Sequence, residues 1–426
     1  MMRLFYCLMV YLAIIITSPY IIWIILTQPK YRTGLGQKLG FFLPQQTKPT
    51  LWIHAVSVGE TMVATDLAKS FMEISTDYRI MFSTTTKTGQ ELAKKRLAPD
   101  ANIFYFPYDL PGAVKRSIKA INPAALVLVD TELWPNVVRA CVKHGGKAVL
   151  VNGRISDRAF PFYMRYSWLF KGMLKDFSLF LMQTERDGER IVQMGTNPKK
   201  VNVAGTLKFD RNITKLGKNE NQRIRRSLGI EENAIVLFLG SPHQGEEAAL
   251  RAAMTAIGAI PSARLVIAPR RIENVEWIEK SLAGFSMKIA LKTEMVMGAI
   301  PTGPKSVPII DTFGELANLY GIADVAFVGG SMISHGGQNP LEPAAHGKAI
   351  IYGPDMVNFH EAAKALEEGG GAVRINSEEE LSIKFITLLS DASQREEMGK
   401  ASLAVIENNR GAINKTANII KGLLDD

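Results

Sequence analysis

Apolar residues are grouped along the chain in short runs, separated by stretches whose apolar positions recur at helical spacing. In the first half the runs are Leu51–Val56, Arg79–Ser83, Ala125–Val129, Ala148–Val151 and Leu179–Met182. In the second they are Ile235–Leu239, Arg264–Ala268, Val307–Ile310, Val325–Val328 and Ala349–Ile351. Such runs predict strands buried on both faces, and their alternation with helices predicts an α/β protein with parallel sheets. Asn212 to Ser227, between the two sets, is polar and rich in Lys, Arg and Asn, and is the place for a linker. The pattern therefore predicts two doubly wound, Rossmann-like domains facing a cleft, residues 30–211 and residues 212–426. Sheets of this kind bind ligands beyond the carboxyl ends of their strands, so the chemistry is sought there.

One further run is different. From Leu4 to Leu26 no residue is charged, enough helix to cross the ~30 Å hydrocarbon layer of a bilayer. Lys30, Arg32 and Lys38 follow with no acidic residue among them, and only Arg3 precedes. By the positive-inside rule, residues 1–29 are an N-terminal transmembrane anchor with the bulk of the chain in the cytoplasm. The alternative, a cleaved signal peptide, fits less well because the run is long and no small-x-small site follows it.

The chain has 426 residues, 47% hydrophobic and 21% charged, the composition of a globular protein. Two cysteines make no disulfide framework, and the six histidines are scattered without zinc spacing, so no metal site is expected. A formal charge of +9 and a pI near 9.3 favour anionic partners. The basic residues are dispersed without a nucleic-acid-binding motif, so nucleic acid is not expected. No GxGxxG opens a helix after the first strand and no GxxxxGK[ST] occurs, which weakens the dehydrogenase and P-loop readings.

The strand ends carry the candidate chemistry. Ser57-Val-Gly-Glu60 follows the first strand and reads as a capping box. A carboxylate at a helix start is favoured in its ionised form, so Glu60 is also a candidate general base. Asp130-Thr-Glu132-Leu-Trp-Pro-Asn136 puts two carboxylates at the end of a buried strand, which packing alone explains poorly. Asn152-Gly-Arg154 ends the next strand. Arg158 to Phe180 mixes aromatic and basic residues, suiting either a membrane-interface helix or a core helix with snorkelling cations. Lys208, just before the linker, either faces the cleft or is a surface lysine.

In the second half, Ser241-Pro-His-Gln244 reads as a cap with Pro242 in the first turn, and Asp311-Thr312-Phe-Gly-Glu315 as another Thr-x-x-Glu box. Arg270 stands at a strand end, where its planar fork suits a phosphate or carboxylate. Val328-Gly-Gly-Ser leads through Gly336 and Gly337 to Asn339-Pro-Leu-Glu342, with Asn339 as cap and Pro340 at the first helical position. This loop is either an ordinary capped turn or a cradle whose free N–H groups hold a phosphate.

Taken together and in order, Ser57–Glu60, Asp130–Asn136, Asn152–Ser156, Gly240–Glu247, Ala268–Arg270, Asp311–Leu316 and Val328–Pro343 closely resemble the 3-deoxy-D-manno-octulosonic acid (Kdo) transferases of Gram-negative bacteria. The resemblance implies a GT-B glycosyltransferase on the inner face of the inner membrane. Enzymes of this family transfer Kdo from CMP-Kdo to a lipid A precursor, invert at the anomeric carbon, release CMP and need no cofactor. It implies Glu60 as the base, with Glu132 and Lys208 stabilising the transition state. It also implies a CMP site of Pro269, Arg270, Phe313, Gly314, Glu315, Asn339, Pro340, Leu341 and Glu342. The implied partners are the CMP-Kdo donor, the lipid A precursor acceptor and inner membrane lipids. Where the family commonly has Ser-Thr-His this chain has Ser241-Pro242-His243, which stiffens a turn and leaves the reading intact. The rivals are a GT-B transferase for another nucleotide sugar and a non-catalytic anionic-lipid-binding module.

Overall fold

The computed structural model describes residues 12, 15–20, 23–28, 32–210, 216–285, 287–296, 306–312 and 314–425. Much of the apolar run from 4 to 26 lies outside them. Its described parts are helical, with Ile15, Ile16, Tyr20, Trp23 and Leu26 exposed. Among the described residues no helix is long and apolar enough to cross a membrane.

The chain forms two compact units, Met1–Arg211 with Arg410–Asp426, and Asn212–Asn409. The first is built on seven parallel strands: β1 (Thr50–Ala55), β2 (Arg79–Thr84), β3 (Ala101–Tyr105), β4 (Pro123–Val129), β5 (Lys147–Gly153), β6 (Leu179–Met182) and β7 (Val201–Val203). Their order is β3-β2-β1-β4-β5-β6-β7. Because side chains alternate across a strand, β4 feeds two cores at once. Ala125, Val127 and Val129 pack on one face with Leu67 and Phe71, and Leu126 and Leu128 on the other with Trp52 and Phe180.

The last helix, Ala412–Asp425, belongs to this first unit, not to the second as the 212–426 expectation had it. Ala412, Ile413, Ala417 and Ile420 recur at helical spacing and enter the first unit's core beside Leu67 and Phe71. The Asp210 carboxylate accepts hydrogen bonds from the backbone N–H groups of Gly411 and Ile413, fixing the helix start. Ser70 Oγ donates to Asn414 Oδ1 at 2.8 Å.

The second unit repeats the plan with β8 (Ile235–Gly240), β9 (Ala263–Ala268), β10 (Lys288–Leu291), β11 (Ser306–Ile309), β12 (Val325–Val328), β13 (Ala349–Tyr352) and β14 (Ala372–Arg374), in the order β10-β11-β9-β8-β12-β13-β14. In each sheet the chain first fills one side of a central strand, with β11 inserted between β9 and β10 in the second, and then restarts on its other side. The reversal lies between β1 and β4 in the first sheet and between β8 and β12 in the second. At such switch points the connections leave in opposite directions and open a crevice at the carboxyl ends.

Candidate active site

At the first switch point the chain leaves β1, turns at Ser57 and enters the helix Val58–Ile74. Ser57 Oγ accepts from the Glu60 backbone N–H at 3.2 Å and donates to Glu60 Oε1 at 2.7 Å. Glu60 Oε2 accepts from the N–H of Val56 at 2.8 Å, one residue before the cap, so a shifted form of the capping box holds the half-buried carboxylate at the strand end.

Across the switch point β4 runs into Asp130, whose φ of 61° is left-handed. The following helix, Pro135–Lys143, is capped from elsewhere. The Asp109 carboxylate accepts from the N–H groups of Asn136 and Val137 at 3.1 and 2.8 Å. Asp130 and Glu132 are therefore not occupied at that helix terminus. The Asp130 carboxylate instead accepts from the Asn152 amide at the end of β5, and Thr131 Oγ1 exchanges hydrogen bonds with the Arg154 backbone. Lys208 lies half-buried in the single turn Leu207–Asp210 after β7, where its charge acts on Asp130.

The electrostatics follow from this crowding. Burial pushes the Asp130 carboxyl up to about 6; Glu60 adds to the rise, while Lys208, Asn152 and Arg154 oppose it. Burial also pushes Glu132 up to about 7, with Glu60 and Asp130 adding like-charge repulsion. Tyr163 is raised by burial and by Glu132, so its ring borders the same group. Glu60 and Lys208 both act on Asp130, and Glu60 and Asp130 both act on Glu132; Asp130, read with Glu132 as a candidate carboxylate pair but given no role in the reaction, is thus the shared neighbour of Glu60, Glu132 and Lys208. His54 on β1 lies nearby but is structural. It is fully buried, stacks on Phe106 at 3.7 Å and is pushed down to about 3 by that burial, so it stays neutral.

The second switch point differs from expectation. Ser241 has a left-handed φ of 57° and caps no helix; the helix begins only at Glu247. What organises the loop is Glu246, fully buried, whose carboxylate accepts backbone N–H groups from His243 (2.8 Å), Gly330 (2.7 Å), Ser331 (3.0 Å) and Met332 (2.9 Å). The N–H groups of the glycine loop, which the cradle alternative would leave free for an anion, are largely spent within the fold. Gly329 donates to Gly240 O, Gly336 to the Asp355 carboxylate, Gly337 to Gly330 O and Gln338 to Gly329 O. Gly329 is required here because a Cβ would come within 2.3 Å of Ser241 O.

The helix after this loop, Leu341–Ala345, starts one residue later than expected and has only five residues. Asn339 Oδ1 accepts from the Leu341 N–H at 3.1 Å, and its amide lies 3.4 Å from Glu342 Oε1. The Thr312-x-x-Glu315 box does not form, because Lys292 draws Glu315 into an ion pair and also donates to Thr312 Oγ1 at 3.3 Å. Gly314 is exposed at φ 85°, and Phe313 lies outside the described residues. Arg270 is exposed after β9. His243 and His335 pair at 4.3 Å. His243 is lowered chiefly by burial, with His335 and Arg270 adding to the effect. Among the described residues no group of three or more His, Cys, Asp or Glu is placed to hold a metal ion.

A family profile described as 3-deoxy-D-manno-octulosonic-acid transferase (kdotransferase) matches residues 33–211. The 3-deoxy-D-manno-octulosonic acid transferase of Haemophilus influenzae is 30% identical over 406 residues, covering 93% of both chains. The chain belongs to the Kdo transferase family. A bifunctional glycosyltransferase/methyltransferase of Fusobacterium nucleatum is 32% identical over 372 residues, 87% of the transferase and 57% of that protein. In fold the transferase is similar to the UDP-GlcNAc 2-epimerase of Neisseria meningitidis bound to UDP-GlcNAc. Its TM-score there is 0.60 at 14% identity, covering 89% of the transferase and all of that chain. Its two parallel Rossmann-like sheets form the α/β GT-B fold.

Of the residues expected to hold CMP, Pro269 and Arg270 follow β9, Gly314 and Glu315 follow β11, and Asn339 to Glu342 follow β12. In the transferase these strands lie in the run β11-β9-β8-β12 of one parallel sheet, so the residues stand along one end of it.

Proposed function

We propose that the transferase moves Kdo from CMP-Kdo to a hydroxyl of a lipid A precursor with inversion, and that Glu60 takes the acceptor proton. The bond from the anomeric carbon to the CMP phosphate breaks as the bond to the acceptor oxygen forms. The proton passes to the Glu60 carboxylate, and CMP leaves with the electron pair. The observation that carries this reading is the Glu60 carboxylate, fixed by Val56 N and Ser57 Oγ at the end of β1 and grouped with Asp130, Glu132 and Lys208. Lys208 brings positive charge for the sugar carboxylate or the departing phosphate. The exposed Arg270 suits the donor phosphate, and Asn339 to Glu342 the rest of CMP.

Residues 1–29 act as the membrane anchor in this reading, with the catalytic units cytoplasmic. The stretch around Phe160–Arg165 and Ser167–Leu174 supports an acylated acceptor at a bilayer surface. Phe162 and Trp168 are 56% and 58% exposed beside exposed Arg158, Arg165 and Lys171, a wet-and-apolar face rather than a core helix.

The test is transfer from CMP-Kdo to the tetraacylated lipid A precursor, read by product mass, with UDP-sugars as competing donors. Glu60→Gln is expected to lower kcat by about 10²–10⁴-fold with donor affinity retained; wild-type turnover removes it as base. A second reading is favoured by one observation, that Glu132 is pushed up to about 7, where a general base works best. If the pH–rate limb near neutrality vanishes in Glu132→Gln, and Glu60→Gln keeps its rate, the proton goes to Glu132.

A further inference from the structure

We propose that Asn152 is a positioning residue for the transfer reaction, its one amide locking Asp130 and the Lys208-bearing turn into a single register. This rests on the reading of Glu60, Glu132 and Lys208 as the reaction machinery.

Asn152 is the next-to-last residue of β5, with 1% of its surface exposed. Its Nδ2 donates to Asp130 Oδ1 and its Oδ1 accepts from the Leu207 N–H at 3.0 Å. The assignment of the two amide atoms is forced, because a carboxylate accepts and a backbone N–H only donates. Its backbone carbonyl accepts from Gln183 Nε2 at 2.9 Å, tying in the end of β6. Its φ of 55° is left-handed, which Asn tolerates better than most residues. Backbone, donor and acceptor requirements thus coincide on one residue type. Asp satisfies the Leu207 contact but turns the Asp130 contact into repulsion. Gly satisfies the backbone and neither contact. The Asp130 loop is also held to β5 by Asp130 N–H to Val151 O at 2.9 Å and by the Thr131–Arg154 bonds, but the Asn152 side chain is what ties the Asp130 carboxylate itself to the Lys208-bearing turn.

Asp130 is faced by Glu60 from the Val58–Ile74 helix, by Lys208 from its turn, by Arg154 after β5 and by Glu132 on its own loop. Removing the Asn152 donor, or replacing it with a negative charge, raises the Asp130 carboxyl further.

The experiment is steady-state kinetics and pH profiles of the full-length Asn152→Asp and Asn152→Gly enzymes, normalised to folded protein. Asn152→Gly is expected to lower kcat by up to about a hundredfold with both KM values near wild type. Asn152→Asp is expected to move the acidic limb of kcat up by about one pH unit. Wild-type kcat and pH profile per folded molecule in both variants overturns the proposal, as does activity lost only in proportion to folded protein. Glu60→Gln is run alongside. If Glu60→Gln is inactive while both Asn152 variants are normal, only the positioning role fails; if Glu60→Gln turns over normally, the reading beneath it fails.

Discussion

The two units have the same kind of switch point and handle a carboxylate there in opposite ways. In the first, Asp130 and Glu132 crowd against Glu60 with Lys208 and Arg154 as partial compensation, and their carboxyls are pushed up to about 6 and 7. In the second, Glu246 is more deeply buried than either, yet four backbone N–H groups converge on its two oxygens. Burial is the same act in both places; what differs is whether donors arrive to replace water. The satisfied carboxylate fastens two loops together. The crowded ones hold their protons tightly enough to exchange them near neutral pH, which suits chemistry and works against stability.

The largest effect that tests this contrast is Glu246→Gln. An amide nitrogen in place of one oxygen faces N–H donors, leaving at least one buried group unpaired at about 1–3 kcal/mol each. Hydrogen exchange at Gly330, Ser331 and Met332 is expected to lose protection, with the second unit unfolding at lower denaturant. Unchanged protection there breaks the comparison.

The same substitution in the first unit has the opposite sign. Glu132→Gln removes a like charge from a crowded, desolvated site, so it is expected to stabilise that unit while lowering kcat. Each kcal/mol recovered corresponds to a Tm gain of about 2–4 °C. The pH dependence follows from the raised carboxyls. Between the ordinary carboxylate range and about 7 the folded state binds more protons than the unfolded chain, so this contribution is present in acid and lost as pH rises through 6 to 7. The first unit is therefore expected to lose stability from pH 5 to pH 8, and Glu132→Gln to flatten that slope. A Glu132→Gln variant less stable than wild type at pH 8 contradicts the crowding.

How much of this was legible in the sequence depended on whether the signal was local. The apolar runs marked every interior strand, and the four strands they missed, β3, β7, β10 and β14, are the sheet edges. Edge strands pair on one side only and need no continuous apolar run, as Val201-Asn-Val203 and Lys288-Ile-Ala-Leu291 illustrate. The Ser57 box was legible because its partners lie within a few residues of one another. The caps read at Ser241 and Thr312 failed because distant partners won: Glu246 is held by residues some eighty positions away, and Glu315 by Lys292. The Ala412–Asp425 helix was assigned to the wrong unit because an apolar stripe does not say which core it enters. Asp130 was quoted in a motif, but its membership of the site depends on Asn152 and Lys208, which sequence distance conceals.

The smallest effect gives the sharpest control, because the second unit contains a copy of the Glu60 geometry without its neighbours. Ser377 caps the helix Glu378–Ser390 by accepting from the Glu380 N–H at 3.1 Å, and Glu380 Oε2 accepts from the Asn376 N–H at 3.0 Å. Ser57 and Glu60 make the same pair of contacts at 3.2 and 2.8 Å. Glu380 is exposed. Ser57→Ala and Ser377→Ala are therefore expected to cost about 1 kcal/mol each, the usual loss of a cap, seen as faster amide exchange at Glu60 or Glu380. Only Ser57→Ala is expected to reduce kcat. The reduction is modest, because Glu60 keeps its bond to Val56 N and loses only the hydroxyl that orients its other oxygen. Equal kcat in the two variants would reduce Ser57 to a cap and leave the orientation of Glu60 to Val56 alone; a fall in both would mean that the capping box carries no information about where the reaction takes place.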